Sequence, residues 1–125
     1  MNSSDFASGE QTTALPFPKL AQKITCSIGP KLTAYIASMK DLRALDRRIE
    51  SAAALYKSAE ERLRFAYIVV KTLAEHEHAA VVQAWLTGLN PELDNRVPTR
   101  LLREGDLEKV GPEILGAVRA FVPEG

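Results

Sequence analysis

The stretch SAEERLRFAYIVVKTLA, residues 58–74, decides the fold class of this chain. Its run Phe65–Val70 contains the β-branched and aromatic residues that favour a strand. However, the stretch is too long for a typical strand and opens with Ser58 and Glu61 at the spacing of a helical capping box. Its apolar side chains fall on both sides of a helix, which is typical of a helix central to a core or shared between core and interface. We therefore predict a central helix over residues 59–74.

The surrounding sequence extends this helical prediction to most of the chain. Residues 31–87 contain neither glycine nor proline, whereas both residue types punctuate the flanking segments. Such a block favours helix, so the fold class is expected to be all-α, with six or seven helices. Apolar spacings and turn residues predict the other helices over residues 18–26, from Pro30 to a break near 38–41, and over 41–50, 78–87, 98–104 and 112–122.

Composition limits the classes of protein to which the chain can belong. Its 125 residues suit one domain, and 16 basic residues balance 16 acidic ones, which excludes a generally basic nucleic-acid coat protein. Cys26 is the single cysteine, so an internal disulfide is excluded, and we expect it on a buried helix face. No apolar run is long enough to span a bilayer and no secretory signal is visible, so a cytoplasmic location is expected.

Catalytic and metal-binding signatures are nearly absent from the sequence. Glu75, His76, Glu77 and His78 resemble a metal cluster, but on a helix the two histidines would point about 200° apart. A polar helix junction is therefore the favoured interpretation, and no catalytic residue, metal or cofactor is predicted. The competing hypothesis is a small enzyme that uses His76 with a neighbouring glutamate.

A basic stripe follows the predicted break near residue 40. On a helix over residues 41–50, the apolar side chains share one side, and the opposite side carries Lys40, Arg43 and Arg47, with Arg48 on the flank. Such a stripe suits a DNA backbone or groove. The alternative is an ordinary solvated face neutralised by nearby carboxylates, and the residues alone favour this alternative.

The last third of the chain carries a more specific pattern. The run Trp85-Leu-Thr-Gly-Leu-Asn-Pro-Glu-Leu-Asp94 is followed by Arg96-Val-Pro98, then by Leu101-Leu102 and Gly105. In spacing, this pattern resembles the toxin-binding domain of the Xre/MbcA/ParS antitoxins over residues 79–122. The resemblance implies a small helical antitoxin with an upstream Xre-like helix-turn-helix, and a cognate toxin that is often a RES-domain protein acting on NAD or transferring ADP-ribose.

The polar, aperiodic composition of residues 1–15 and the resemblance together divide the chain into regions with expected roles. Residues 1–15 would be a disordered tail, residues 16–76 a helix-turn-helix-like region, and residues 77–125 the toxin-binding region. Residues 32–38 would form the supporting helix and residues 41–50 the recognition helix, with Lys40, Arg43, Arg47 and Arg48 on operator DNA. This helix-turn-helix is degenerate, since the turn lacks glycine and Arg48 and Ser51 stand where relatives often carry tryptophan and glycine.

Within the toxin-binding region, a set of side chains is predicted to contact the partner. Trp85 suits either a core anchor or an interface hot spot, with the core favoured. Asn90 is expected to shape a tight turn. The complete partner-binding set is Trp85, Leu89, Asn90, Leu93, Arg96, Arg100, Arg103 and Phe121. All of these except Trp85 and Asn90 are expected to be accessible, with Arg100 and Arg103 on the exposed side of a short helix.

These observations predict a non-catalytic antitoxin of a type II toxin–antitoxin pair. It would neutralise a cognate toxin through residues 85–125 and repress its own operator as a homodimer, with no membrane partner. The leading alternative is a DNA-binding transcriptional regulator without a toxin, in which the C-terminal region serves dimerisation.

Overall fold

A computed structural model describes residues 15–51 and 54–123, and within them the side chains of residues 15–47 and 57–123. Apart from Leu15, the predicted tail lies outside the described residues. The described chain is all-helical, which confirms the predicted fold class. Its helices are α1 (Phe17–Ile28), α2 (Pro30–Ile36), α3 (Leu42–Ser51), α4 (Ala54–Ala74), α5 (Ala79–Thr87), a 3₁₀ turn (Pro91–Leu93), α6 (Pro98–Glu104) and α7 (Leu107–Phe121).

Helix α4 is the centre of the core, as predicted. It packs against each of the other six α-helices of the described chain. Its side chains Leu63, Val69 and Leu73 are completely buried, and each contributes about 1.5–3 kcal/mol by leaving water. Phe65 and Ile68 lie opposite Leu63 on α4 and are only half-buried, whereas Val69, one turn after Phe65 on that side, is fully buried. Helix α4 therefore has apolar side chains around nearly its whole circumference because other helices surround it.

The predicted break between α2 and α3 is confirmed. Helix α2 ends at Ile36, and Ser38 adopts a left-handed backbone conformation with φ 61°. The Asp41 carboxylate then accepts the backbone N–H of Ala44 at 2.9 Å, which satisfies a free donor at the start of α3. A left-handed residue followed by a capping aspartate turns the chain without a glycine in the connection.

Two predicted helix starts are wrong. Helix α4 begins at Ala54, so Ser58 lies inside the helix instead of capping it. Helix α7 begins at Leu107, where the Asp106 carboxylate accepts the N–H of Glu108 at 3.1 Å, and Pro112 therefore lies within the helix. Pro112 has no N–H to offer the carbonyl four residues earlier, a defect that burial of Val110 and Ile114 on the same helix offsets.

The glycines around α5 and α6 stand where the sequence predicted. Gly88 and Gly105 occupy the C-cap positions of α5 and α6, and each donates its N–H to the carbonyl four residues earlier. At Gly105 a Cβ atom would approach the Leu101 carbonyl to 2.7 Å and Val110 to 2.8 Å. A glycine is therefore required where α6 meets α7.

Polar side chains join the two ends of the chain through backbone carbonyls. Arg62 donates to the Leu102 carbonyl at 2.7 Å, Gln83 to the Ile28 carbonyl at 3.0 Å and Arg103 to the Tyr35 carbonyl at 3.1 Å. Each donor and its acceptor are far apart in sequence. These bonds fix α5 and α6, which carry most of the antitoxin-like pattern, onto the N-terminal helices.

The exposure of Cys26 differs from the prediction. Its thiol is exposed, because Cys26 lies about half a helical turn from the buried face formed by Leu20, Ile24 and Ile28. Separately, none of the helices within residues 15–51 and 54–123 has both the length and the apolar character needed to cross a bilayer.

Candidate partner-binding site

The turn between α5 and α6 is the structural base of the candidate site. The buried Asn90 side chain accepts the N–H of Glu92 at 2.9 Å, and its backbone pairs with Arg96 in an isolated antiparallel bridge. Asp94 and Asn95 are both left-handed, with φ values of 56° and 62°. This dense bonding fixes the turn, as predicted for Asn90, and so fixes the direction in which residue 89 projects.

Leu89 projects into solvent from this turn. Its side chain is 72% exposed and that of Phe121 is 43% exposed, and these are the exposed large apolar side chains of the described chain. A cleft lies on each side of Leu89. The first, of about 300 Å³, is bounded by Trp85, Pro91 and Phe121, and the second, of about 420 Å³, by Val97, Arg100 and Leu101. We call Leu89, Phe121 and these two clefts the Leu89 surface.

Trp85 belongs to the core and to the edge of this surface. Its side chain is buried, and its ring lies 6.3 Å from the ring of Phe121 at an angle of 52°. Tilted aromatic pairs at this distance are favourable. The ring also forms one wall of the first cleft. The Trp85 ring thus packs against Phe121, and part of the same ring faces the first cleft.

Leu93 is not accessible, so the prediction of an exposed side chain is wrong for this residue. It is 1% exposed, because the 3₁₀ turn packs onto α7 and points Leu93 into the core. The sequence predicts a turn here but does not show which of its side chains meets α7. Leu93 therefore anchors the turn to the core and is not available for contact with a partner.

The three arginines of the predicted set have different environments. The Arg96 guanidinium bonds the Leu93 carbonyl and the Glu113 carboxylate, both at 2.7 Å. Arg100 is exposed and forms a 3.3 Å surface ion pair with Glu104. Arg103 is half-buried, with its guanidinium 4.6 Å from the centre of the Tyr35 ring. The prediction of an exposed position is therefore wrong for Arg103, and Arg100 is the arginine most available to a partner.

The predicted DNA-contacting side chains lie on a separate part of the molecule, at the start of α3. Lys40, Arg43 and Arg47 are all exposed, and none of them forms an ion pair with another described residue. The side chain of Arg48 lies outside the described residues. The nearby Asp41 carboxylate is used as the α3 cap. Arg43 and Arg47 stand at i and i+4 on α3, whereas Lys40 precedes the helix in the connection from α2.

The histidines occupy the junction between α4 and α5. His76 is exposed, and His78 is the exposed N-cap residue of α5. Across residues 15–51 and 54–123, no group of three or more histidine, cysteine or acidic residues is placed to hold a metal ion. These side chains are arranged as an ordinary solvent-facing helix junction.

Several residues of the Leu89 surface were not predicted from sequence. Ala117 and Ala120 on α7 line the first cleft, and Val97 lines the second. The two alanines leave space beside Trp85 that larger side chains would fill. Small residues at i and i+3 on the last helix are visible in the sequence, but nothing there places them next to Leu89.

Comparisons of the chain with models of known protein families, with curated proteins and with solved structures found no match.

Proposed function

We propose that this chain is a non-catalytic antitoxin that neutralises a cognate toxin by binding it through the Leu89 surface. The observation that carries the proposal is Leu89 itself, which a fixed turn holds in solvent between two clefts. Burial of this leucine side chain by a partner would contribute about 1.5–3 kcal/mol to the free energy of binding. The residues that shape this surface belong to the segment that resembles the antitoxin toxin-binding domain, for which a RES-domain toxin is the implied partner.

The test is binding between the full-length chain and the product of its adjacent gene. We expect Leu89→Asp to abolish co-purification, because a carboxylate would have to be buried in the interface. The matched control is Ala80→Asp, which adds the same charge at an exposed position of α5 outside both clefts. Equal binding by both variants would exclude the Leu89 surface as the interface.

Point variants are needed because truncation would disrupt the fold. Deletion of residues 112–125 removes Ile114 and Val118, which are both buried in the core. Loss of binding after such a deletion would therefore report unfolding as well as loss of the interface. Leu89→Asp changes an exposed side chain and leaves the core intact.

A second candidate function is favoured by the exposed cations of α3. In this alternative the chain is a DNA-binding regulator without a toxin, with α2 as supporting helix and α3 as recognition helix of an Xre-like helix-turn-helix. The C-terminal region would then serve dimerisation. Arg43 and Arg47 are like charges at i, i+4 with no ion-pair partner among the described residues, an arrangement that a DNA phosphate would stabilise.

The DNA hypothesis is tested by the salt dependence of operator binding. We expect Arg43→Ala with Arg47→Ala to weaken binding and to reduce the log–log salt slope by roughly 2, since each phosphate contact contributes about 0.9. Lys19→Ala with Lys23→Ala, which removes two exposed cations from α1, is the charge-matched control. An unchanged slope in the arginine variant would rule out α3 as the recognition helix.

A further inference from the structure

The Leu89 surface places an apolar projection directly beside an apolar cavity. Leu89 is 72% exposed and also forms part of the wall of the second cleft. This cleft, of about 420 Å³, has room for a leucine side chain, and Val97 and Leu101 in its wall are only half-buried. The single chain therefore leaves both the projection and the apolar wall next to it partly in water, and burial of both would be favourable.

A projection beside a cavity can be complementary to a second copy of itself. A two-fold axis that lies in the plane of contact, midway between Leu89 and the second cleft, places the leucine of each copy opposite the cleft of the other. Two-fold contacts, in which both subunits use the same surface, are the commonest contacts of soluble homo-oligomers. A second copy of this chain therefore supplies both the projection and the cavity that this surface requires.

The charges at the rim of the second cleft are also complementary to themselves. Arg100 and Glu104 border this cleft one helical turn apart on α6, and their side chains are 70% and 53% exposed. Their own ion pair is long, at 3.3 Å, so both groups are accessible to a charge from another molecule. Where two α6 helices meet antiparallel about the axis, Arg100 of each copy faces Glu104 of the other.

We propose that a second copy of this chain covers the Leu89 surface in the free protein, through a two-fold contact in which each Leu89 enters the second cleft of the other copy and Arg100 pairs with Glu104. This contact also regulates toxin binding, and that part rests on the proposed antitoxin function. Because the toxin and the second copy both require Leu89, the dimer must separate before the toxin binds.

The apolar part of the contact is tested by sedimentation equilibrium of the full-length chain over a range of concentrations. We expect a reversible dimer in the wild-type protein. Leu89→Asp should raise its dissociation constant by about tenfold or more, because a carboxylate would have to enter the apolar cleft. Ala80→Asp, which adds the same charge at an exposed position of α5 outside the cleft, should leave the constant unchanged.

The charged part of the contact is tested by exchanging the two charges. Arg100→Glu alone, or Glu104→Arg alone, places like charges against each other and should raise the dissociation constant by about fivefold. An equimolar mixture of these two variants should associate as tightly as the wild-type chain, because two glutamates of one copy then face two arginines of the other. Both changes in one chain should also restore the homodimer.

Cys26 allows the mixed dimer to be measured directly. It is the single cysteine of the chain, its thiol is exposed, and it lies on α1 outside both clefts of the Leu89 surface. A donor dye on Cys26 of one variant and an acceptor dye on Cys26 of the other report association by energy transfer. The same labels on wild-type chains report whether the product of the adjacent gene separates the dimer, which we expect as a loss of energy transfer.

Three results would overturn the proposal. A wild-type chain that stays monomeric at every concentration would exclude the dimer. A dimer that Leu89→Asp does not weaken would place the contact elsewhere, such as at the groove between α1 and α3 that Pro18 and Leu42 border. A mixture of the two charge variants that associates no better than either alone would exclude the two-fold pairing of Arg100 with Glu104.

The regulatory part has its own contradicting result. Energy transfer that persists in the complex with the product of the adjacent gene would show that the toxin and the second copy do not compete. If that product does not bind at all, while the wild-type dimer is weakened by Leu89→Asp, the proposed antitoxin function fails and the dimer stands.

Discussion

At the scale of one residue, Arg103 was predicted to be an exposed cation, but in the structure it contacts Tyr35 and supports the fold. Its guanidinium lies 4.6 Å from the centre of the Tyr35 ring and donates to the Tyr35 carbonyl at 3.1 Å. Arg100, one helical turn earlier, has a side chain that is 70% exposed and forms an ion pair with Glu104 on its own helix. Sequence spacing placed both arginines on one exposed face, since nothing in the sequence shows that Tyr35 is the neighbour of α6.

The two arginines should therefore differ in their effect on stability. We expect Arg103→Ala to lower the free energy of unfolding by about 1.5–3 kcal/mol, through loss of the ring contact and of a hydrogen bond from a charged donor. Arg100→Ala should cost less than about 0.5 kcal/mol, because exposed ion pairs contribute little. Urea denaturation of both variants measures the difference. Similar losses for the two variants would mean that the Tyr35 contact does not stabilise the fold.

At the scale of the helices, the sequence predicted which segments are helical better than where they begin. The central helix, the break after Ile36 and the glycine ends of α5 and α6 follow from periodicity and turn residues. The starts of α4 and α7 do not. Ser58 and Pro112 both lie inside helices that begin earlier, at Ala54 and at Leu107, and Asp106 caps the second of these.

The candidate site was predictable to a similar extent. Leu89, Phe121 and the Asn90 turn were identified from residue types and spacing, whereas the burial of Leu93 depends on how the 3₁₀ turn packs onto α7. The clefts could not be predicted from sequence, because their walls come from helices that are distant along the chain.

The position of the α7 cap gives a prediction at this scale. Asp106→Ala should lower the free energy of unfolding by about 1 kcal/mol, because it leaves the Glu108 N–H without its acceptor. Ser58→Ala should cause no loss and a gain of up to about 0.5 kcal/mol, since alanine is the better residue inside a helix. Thermal and chemical denaturation check both values. A loss of about 1 kcal/mol in Ser58→Ala would instead support a helix start at that serine.

At the scale of the molecule, the N-terminal and C-terminal helices form one packed unit around α4. Helix α4 contacts the three helices before it and the three after it, and α2 also packs against α6. One contiguous core includes buried side chains from Phe17 to Val118. A site at one end of the chain is therefore supported by helices from the other.

This arrangement predicts a single cooperative unfolding transition. Trp85 is the only tryptophan and reports on the C-terminal helices, whereas far-ultraviolet circular dichroism reports on all the helices. We expect the two signals to have the same midpoint in urea, since small single domains unfold in one step. A tryptophan transition at lower urea concentration would show that the C-terminal helices unfold separately.

The bonds that join distant helices also affect how the sequence can change over evolution. Arg62, Gln83 and Arg103 each donate to a main-chain carbonyl, at Leu102, Ile28 and Tyr35 respectively. Every amino acid supplies that carbonyl, so the acceptor positions can be exchanged without loss of the bond, whereas the donor positions cannot. These hydrogen bonds therefore constrain the residue type at the donors but not at the acceptors, where Ile28 and Leu102 are constrained by burial and Tyr35 by its ring contact with Arg103.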